Sequence, residues 1–164
     1  MTIRRAETGD LAEIERLLEQ VCRVHAGIRP DLFLAGKRKY TEDELSGIIK
    51  DDRKPIFVAE DENGAFLGYC FTVIEEHRGF NEPQHRTLYI DDLCVDENIR
   101  GRNVGRTLYE HVRGWAKENG FYNITLHVWE HNENAKSFYN AMGMKIQRYG
   151  MEEVICPQPP VALD

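Results

Sequence analysis

Two glycines and three arginines crowd a short turn between a predicted strand and a predicted helix, in the stretch VDENIRGRNVGR at residues 95–106. The first turn of a helix has unpaired backbone N–H groups and a partial positive charge, so anions bind there. Gly101 and Gly105 would let an anion approach the backbone closely, and the arginines add positive charge. The turn therefore predicts a phosphate site, although taken alone it also fits a plain connector. It is neither a Walker loop nor a GxGxxG dinucleotide fingerprint.

Composition narrows the classes of partner. The formal net charge is −7. This charge argues against a nucleic-acid partner, because nucleic-acid binding needs a basic surface. It is compatible with a cationic substrate. Four scattered cysteines show no CxxC pair and no metal spacing, so we expect buried thiols and no metal site. No apolar run approaches the roughly 20 residues of a membrane span. The first ten residues lack a secretory signal core, so we expect a cytoplasmic protein without membrane contact.

The elements that would position this turn alternate between strand and helix. The hydrophobic periods predict one α/β domain at residues 1–156, with a tail at 157–164. Their order is β-α-α-β-β-β-α-β-α-β-β, which gives a mixed sheet of about six or seven strands flanked by four helices. Thr41 and Glu44 form a capping box that starts the second helix, and Asn63-Gly64 predicts a hairpin turn. The predicted strands are 3–6, 56–60, 66–75, 87–95, 122–129 and one or two within 145–155.

Two sequence blocks point to a known family. Residues 100–105, RGRNVG, resemble the R-x-x-G-x-G/A motif of the GNAT superfamily of N-acetyltransferases, with Asn103 where glycine is usual. Residues 132–144 are similar to its N-x-x-A-x-x-x-Y-x-x-x-G-F pattern, with Met144 in place of phenylalanine. One predicted helix and one predicted strand separate the blocks, as in the family. The resemblance covers nearly the whole chain, which we therefore identify as a member with a GNAT-like sheet.

The resemblance implies acetyl-CoA as the acyl donor, bound in a V-shaped opening between the strands at 88–95 and 122–129. Asn103 replaces a glycine, but asparagine adopts left-handed backbone more readily than other residues, so we expect the loop to form. The implied cofactor contacts are Leu93, Cys94, Val95 and Asn132 for the pantetheine arm, Arg100, Gly101, Arg102, Asn103, Val104, Gly105 and Arg106 for the pyrophosphate, Tyr139 near the sulfur, and Ala135 as a further cofactor contact.

The implied reaction is direct attack of an amine on the thioester. Tyr139 stands at the family position of the group that donates a proton to the departing sulfur. Without that motif, Tyr139 would be read as an aromatic residue on the inner face of a short helix. The predicted activity is N-acetyl transfer to a primary amine, and a non-catalytic acyl-CoA sensor or an antibiotic-modifying acetyltransferase are the alternatives.

A base must remove the proton of the acceptor amine. Asp91 and Asp92 lie in the run YIDDLCV, which is similar to the acidic pair of the diamine acetyltransferase branch. Adjacent strand residues point to opposite faces, so one of the two is expected to face the cleft, and we prefer Asp91. Glu75, His127 or a water relay are the other candidates.

The acceptor is expected to bind where the two N-terminal helices connect. The link at residues 25–33 is rich in ring and charged groups, and loops on a rigid scaffold often bind ligands; a packed loop would look the same. The acidic balance favours a small cationic amine over a peptide or protein N-terminus. A homodimer in which residues 151–155 add to a neighbour's sheet is compatible with the sequence. The candidate substrate contacts are His25, Phe33, Glu75, Asp92 and His127.

Overall fold

The structure is a computed structural model, and it describes residues 1–81, 83–99 and 101–155. Its regular elements follow the predicted order as far as the fourth helix. They are β1 Thr2–Arg5, α1 Leu11–Ile28, α2 Glu42–Lys50, β2 Ile56–Glu60, β3 Phe66–His77, β4 His85–Val95, α3 Val104–Glu118, β5 Asn123–Leu126 and α4 Glu133–Ala141, with short 3₁₀ turns at Thr8–Asp10 and Glu97–Ile99.

The five strands form one mixed sheet in the order β1-β2-β3-β4-β5. All neighbouring pairs are antiparallel except β4 and β5, which are parallel. On one face, α1 and α2 bury Leu17 and Leu45 against Tyr69 and Phe71 of β3. On the other face, α3 packs its apolar stripe on the sheet. The predicted α/β class, mixed sheet and four flanking helices are confirmed.

Local signals placed the ends of several elements correctly. Thr41 caps α2, because its hydroxyl accepts from the Glu44 N–H at 3.2 Å and the Glu44 carboxylate accepts from the Thr41 N–H at 2.8 Å. The hairpin turn between β2 and β3 is also present, with Gly64 at φ 80°. Asp61 closes that turn by accepting the N–H groups of Asn63 and Ala65.

The sheet has fewer strands than predicted. The sequence predicts one or two strands within residues 145–155, but that segment forms no strand among the described residues. A strand needs a hydrogen-bonded neighbour, and here the large apolar side chains face solvent instead of a second layer; Ile146, Tyr149, Met151, Val154 and Ile155 are all more than half exposed. Pairing of this segment with a second copy stays a prediction. The boundary of the tail at 157–164 lies outside the described residues.

None of the helices within the described ranges combines enough length with enough apolar character to serve as a membrane span.

Candidate active site

β4 and β5 separate part-way along the sheet. Their parallel pairing runs from Thr87 opposite Asn123 to Ile90 opposite Leu126, where β5 ends. β4 continues to Val95 while paired with β3 on its other side. Within the described residues, the edge of β4 beyond Ile90 therefore has no strand beside it. This is the opening that the family resemblance implies, and β5 is shorter than the predicted strand at 122–129.

A β-bulge lies at the start of this opening. Phe71 pairs with Asp92 and Thr72 pairs with Ile90, so Asp91 is an extra residue in β4. A bulge breaks the alternation of side chains between the two faces. Both carboxylates consequently interact with the same cation, the ammonium of Lys39. The regular alternation from which the sequence analysis expected one of them to face the cleft is therefore absent here, and which carboxylate faces the cleft stays a prediction.

Asp92 is the more enclosed of the two carboxylates. Its Oδ2 accepts the phenolic O–H of Tyr69 at 2.8 Å. Burial raises the pKa of Asp92 to about 6, while the charge of Lys39 and the Tyr69 hydrogen bond oppose the rise. A carboxylate with this pKa is ionised at neutral pH and still accepts protons readily.

Asp91 is exposed and forms an ion pair. Its Oδ2 lies 2.9 Å from Lys39 Nζ, and the Tyr40 hydroxyl lies 3.5 Å from the same oxygen. Sequence reasoning missed Lys39 and Tyr40, because single residues in an irregular link give no periodic signal.

Tyr139 projects from α4 into the aromatic cluster on the α3 face. Its ring centroid lies 6.3 Å from that of Tyr109 and 5.0 Å from that of Phe138. Burial is the main cause that raises the pKa of Tyr139, and negative charge on Cys70 and Asp92 adds to it. The phenol therefore keeps its proton at neutral pH and is a hydrogen-bond donor close enough to Asp92 to be influenced by its charge.

The turn before α3 has the backbone that a phosphate loop needs. Asn103 adopts φ 59° and ψ 14°, which confirms that asparagine can replace the usual glycine in the left-handed region. Gly101 has φ 86°, and a Cβ there would point into open space. Arg102 is exposed, and Arg106 lies 3.5 Å from Glu110 of the next helical turn. Arg100 lies outside the described residues.

Gly105 lies where the start of α3 meets α4 and the end of β4. A Cβ at this position would lie 3.4 Å from the Phe138 ring and 3.5 Å from the Val95 side chain. Both distances are ordinary van der Waals contacts, and the role of Gly105 at the pyrophosphate stays a prediction. Val104, beside it, is buried in the core under α3.

The end of β4 is fixed by a buried glutamine that the sequence analysis did not single out. Gln20 of α1 donates from Nε2 to the Val95 carbonyl at 3.0 Å and accepts the Glu97 N–H through Oε1 at 3.0 Å. The same Nε2 lies 3.3 Å from the buried Cys94 Sγ. Leu93 packs partly buried on the opposite core. Of the three predicted pantetheine contacts, Val95 therefore already shares its carbonyl with α1.

At the start of α4, Asn132 is the helix cap. Its Oδ1 accepts the Ala135 N–H at 3.1 Å. The contact predicted for Asn132 with the pantetheine arm and that of Ala135 with the cofactor stay predictions, and the observed capping explains why asparagine suits this position.

The candidate acceptor residues fall into two groups. His25 packs against Phe33, with ring centroids 5.1 Å apart, and Phe33 meets Trp129 edge-on at 5.6 Å. This brings the link after α1 next to the end of the opening. His127 Nδ1 lies 3.2 Å from the Tyr89 hydroxyl across β4 and β5.

Glu75 lies apart from the carboxylate pair. It stands opposite Thr87 in the β3–β4 register, four positions along β3 from Phe71, which faces Asp92. That spacing corresponds to about 13 Å along the strand. Glu75 Oε2 also lies 3.8 Å from His77 Nε2.

Comparisons with known proteins agree with this geometry. The profile of the acetyltransferase (GNAT) family matches residues 18–144. The peptidyl-lysine N-acetyltransferase YjaB of Escherichia coli is 30% identical over 116 residues, which cover 71% of this chain and 65% of YjaB. The thialysine N-epsilon-acetyltransferase of Bos taurus is 24% identical over 151 residues, which cover 86% of this chain and 82% of that enzyme.

Among solved structures, a mutant of the BH1408 protein from Bacillus halodurans superposes with a TM-score of 0.90 at 30% identity, covering 95% of this chain and 100% of that one. The chain spans 60–65% of the length of three curated relatives that it matches. The profile match covers most of the chain, and the open β4 edge, the left-handed loop and the tyrosine of α4 accord with it. The chain belongs to the acetyltransferase (GNAT) family.

Proposed function

We propose that this protein is an N-acetyltransferase that uses acetyl-CoA to acetylate a primary amine, with a small cationic amine as the preferred acceptor. The observation that supports this best is the separation of β4 from β5 after Ile90, with the carboxylate pair on the β4 side and the negative charge of Asp92 reaching Tyr139. An acyl transfer to an amine needs a slot for the donor, an acceptor for the amine proton and a donor for the leaving group. This opening has candidates for each.

The residues at the opening fit coenzyme A. Within the described residues, the edge of β4 beyond Ile90 offers backbone groups to an extended arm. The positive φ of Gly101 and Asn103 turns the chain into α3, whose first N–H groups are suited to a diphosphate. Arg102 and Arg106 add charge of the right sign. When bound, acetyl-CoA supplies the thioester carbonyl carbon that the amine attacks.

Asp92 is our choice for the group that takes the amine proton. An alkylamine with a pKa of roughly 10 arrives protonated, so it needs both a counter-charge and a base. Asp91 is exposed and already binds an ammonium, that of Lys39. Asp92 is enclosed, its pKa is raised to about 6, and its charge reaches Tyr139. We therefore assign ammonium binding to Asp91 and proton removal to Asp92, the reverse of the preference drawn from the sequence.

Tyr139 is our choice for the donor to the sulfur. Its raised pKa means that the phenol stays protonated and stabilises developing thiolate charge by a hydrogen bond. The packing of Tyr139 against Phe138 and Tyr109 restricts where its hydroxyl can point.

The acceptor class rests on charge and on two relatives. Asp91, Asp92 and the aromatic cluster of His25, Phe33 and Trp129 suit a cation with an apolar stem. Peptidyl-lysine and thialysine, in the names of the E. coli and bovine relatives, both present a primary amine on a thin chain.

The test combines binding with turnover. Calorimetric titration with CoA and acetyl-CoA should give saturable binding, and an amine panel with a free-thiol readout should show acceptor-dependent release of CoA. The absence of binding heat for both ligands refutes the proposal. Binding without turnover for any amine assigns the chain instead to the non-catalytic sensor class.

A further inference from the structure

We propose that the ammonium of Lys39 occupies the position of the acceptor's ammonium, and that an unbranched primary alkylamine must displace it to react. This inference rests on the proposed function and adds two features to it: a residue of the chain that competes with the acceptor, and the shape of the acceptor that can replace that residue.

The Lys39 ammonium lies beside the carboxylate pair at the bulge. Nζ lies 2.9 Å from Asp91 Oδ2 and 5.2 Å from the centroid of the Tyr40 ring. Tyr40 stacks on Phe71, with centroids 6.3 Å apart and the rings nearly parallel. Phe71 is the strand partner of Asp92. The link between α1 and α2 is thus anchored beside the bulge, and it presents its lysine to the carboxylate pair.

The charge of Lys39 acts on several side chains around it. Burial raises the pKa of Cys22 on α1 and of Tyr89 and Asp92 on β4, and Lys39 opposes each rise. Burial lowers the pKa of His25 on α1, and Lys39 lowers it further. These side chains come from separate elements that meet at the acceptor side of the sheet. The ammonium therefore lies where they converge.

The Lys39 ammonium and the ammonium of an acceptor exclude each other at the carboxylate pair. When Lys39 already occupies Asp91 and Asp92, a second ammonium binds there only weakly, because two cations beside the same carboxylate pair repel each other. The Lys39 side chain keeps 33% of its surface exposed, so it can swing into solvent without disturbing the core. Lys39 reaches the pair on four methylene groups, and a ligand that takes its place needs a similarly thin stem behind its nitrogen.

Lys39 is unsuited to be the nucleophile itself. The charges of Asp92 and Asp91 outweigh burial and raise its pKa, so the nitrogen has no free lone pair at neutral pH. Lys39 resembles the bound, still protonated acceptor, and no covalent step on Lys39 is part of this proposal.

The kinetic test uses Lys39→Met, which keeps most of the stem and removes the charge. With n-butylamine as acceptor, KM should fall about fivefold, the effect of an exposed ion pair of about 1 kcal/mol, with little change in kcat. Lys39→Arg keeps the charge and should keep the wild-type KM. Lys136→Met is the matched control, because Lys136 also pairs with two carboxylates, Glu130 and Glu133, and lies on α4.

An unchanged or higher KM in Lys39→Met, or an equal effect of Lys136→Met, overturns the proposal. Acetylation of Lys39 detected by mass spectrometry also overturns it, because the residue would then be a substrate. A lower KM for a branched or secondary amine than for n-butylamine contradicts the inferred acceptor shape.

A second readout does not need catalysis. In protein with ¹³C-labelled lysine and no acetyl-CoA, n-butylammonium should shift the Lys39 Cε resonance selectively and leave that of Lys136 in place. If the wild-type protein turned over no amine, the proposed function would be refuted. If the Lys39 Cε resonance did not move with n-butylammonium, only this inference would be refuted.

Discussion

Tyr69 donates its phenolic hydrogen to Asp92 Oδ2 over 2.8 Å, which joins the buried centre of β3 to the proposed base. Tyr69 is fully buried, so it can hold the carboxylate in one orientation. The bond also favours the ionised carboxylate and limits the rise in the Asp92 pKa that burial causes. Orientation and acidity of Asp92 thus depend on a residue that need not touch the substrate.

The first prediction concerns the pH dependence of kcat/KM for the amine. Asp92 must be ionised to accept a proton, and its pKa is about 6, so the acidic limb should rise through about pH 6. Tyr69→Phe removes a bond that lowers this pKa and should move the limb to higher pH. Asp92→Asn should abolish the limb and lower the rate about 100-fold or more. The measurement is a pH–rate profile for the three proteins.

The contribution of Asp92 to the free energy of unfolding should change with pH in the direction opposite to kcat/KM. The folded pKa of Asp92 lies above its unfolded value, so the folded state holds this proton more tightly. That contribution to the free energy of unfolding is present at low pH and is lost as pH rises through about 6. Among the described residues, the titratable groups that interact electrostatically with Asp92 include Lys39, Tyr69, Asp91, Tyr139, Cys22 and Cys70, and Tyr69 is hydrogen-bonded to it. In the pH–rate profiles of kcat/KM, an acidic limb that is identical in wild type, Tyr69→Phe and Asp92→Asn would show that a group other than Asp92 titrates.

The second prediction concerns Tyr139. Tyr139→Phe removes one hydroxyl and keeps the ring that packs on Phe138 and Tyr109. The dissociation constant for CoA should stay at the wild-type value, while kcat at neutral pH should fall about 100-fold. Calorimetry and the thiol-release assay measure the two quantities separately. Full turnover in the variant would mean that water or another residue protonates the sulfur.

The sequence predicted the features that local patterns determine. The capping pair Thr41 and Glu44, the glycine turn at Gly64 and the left-handed tolerance of Asn103 are all observed, because each depends on a few neighbouring residues. The two family blocks identified the family, which the profile match over residues 18–144 confirms.

Features that depend on strand pairing and on the packing of distant residues could not be predicted from the sequence. The bulge at Asp91 depends on the register between β3 and β4, which alternation alone cannot reveal. The contact between the start of α3 and the Phe138 ring, 3.4 Å from a Cβ built on Gly105, likewise depends on how α4 packs. Lys39 reaches Asp91 across 52 positions of the chain, and no local pattern signals such a contact.

The third prediction concerns the fit of β3 against β4. A Cβ on Gly68 would lie 2.5 Å from the Cys94 carbonyl oxygen, too close for any side chain without movement of the strands. Gly68→Ala should lower the free energy of unfolding by about 1–3 kcal/mol and weaken CoA binding, because Cys94 and Val95 form the proposed cofactor edge. Urea titration and calorimetry measure the two effects.

Gly114→Ala is the control for that substitution. Gly114 lies inside α3, and a Cβ there would meet no atom of the described residues within 4 Å. The alanine should raise the free energy of unfolding by about 0.5–1 kcal/mol, because glycine is a poor helix former. Equal effects of the two alanines would argue against a tight approach of β3 to β4.

The fourth prediction concerns Asn103 at the entrance to α3. Its φ of 59° is accessible to glycine and asparagine but strained for a β-branched residue, at about 1–2 kcal/mol. Its carbonyl accepts the Thr107 N–H at 2.9 Å, so the turn and the first hydrogen bond of the helix form together. Among the described residues, the Asn103 side chain itself makes no capping bond to the helix. Asn103→Gly should therefore bind CoA at least as tightly as the wild type.

Asn103→Val should raise the dissociation constant for CoA about tenfold, because the strain of the left-handed turn would have to be overcome before the N–H groups of α3 can converge on the diphosphate. Dephospho-CoA, which keeps the diphosphate but lacks the 3′-phosphate, should show the same ratio between the two variants. Pantetheine, which lacks the diphosphate, should bind both variants equally. If Asn103→Val weakened pantetheine and CoA to the same extent, the turn would act by positioning β4 and not by binding the diphosphate.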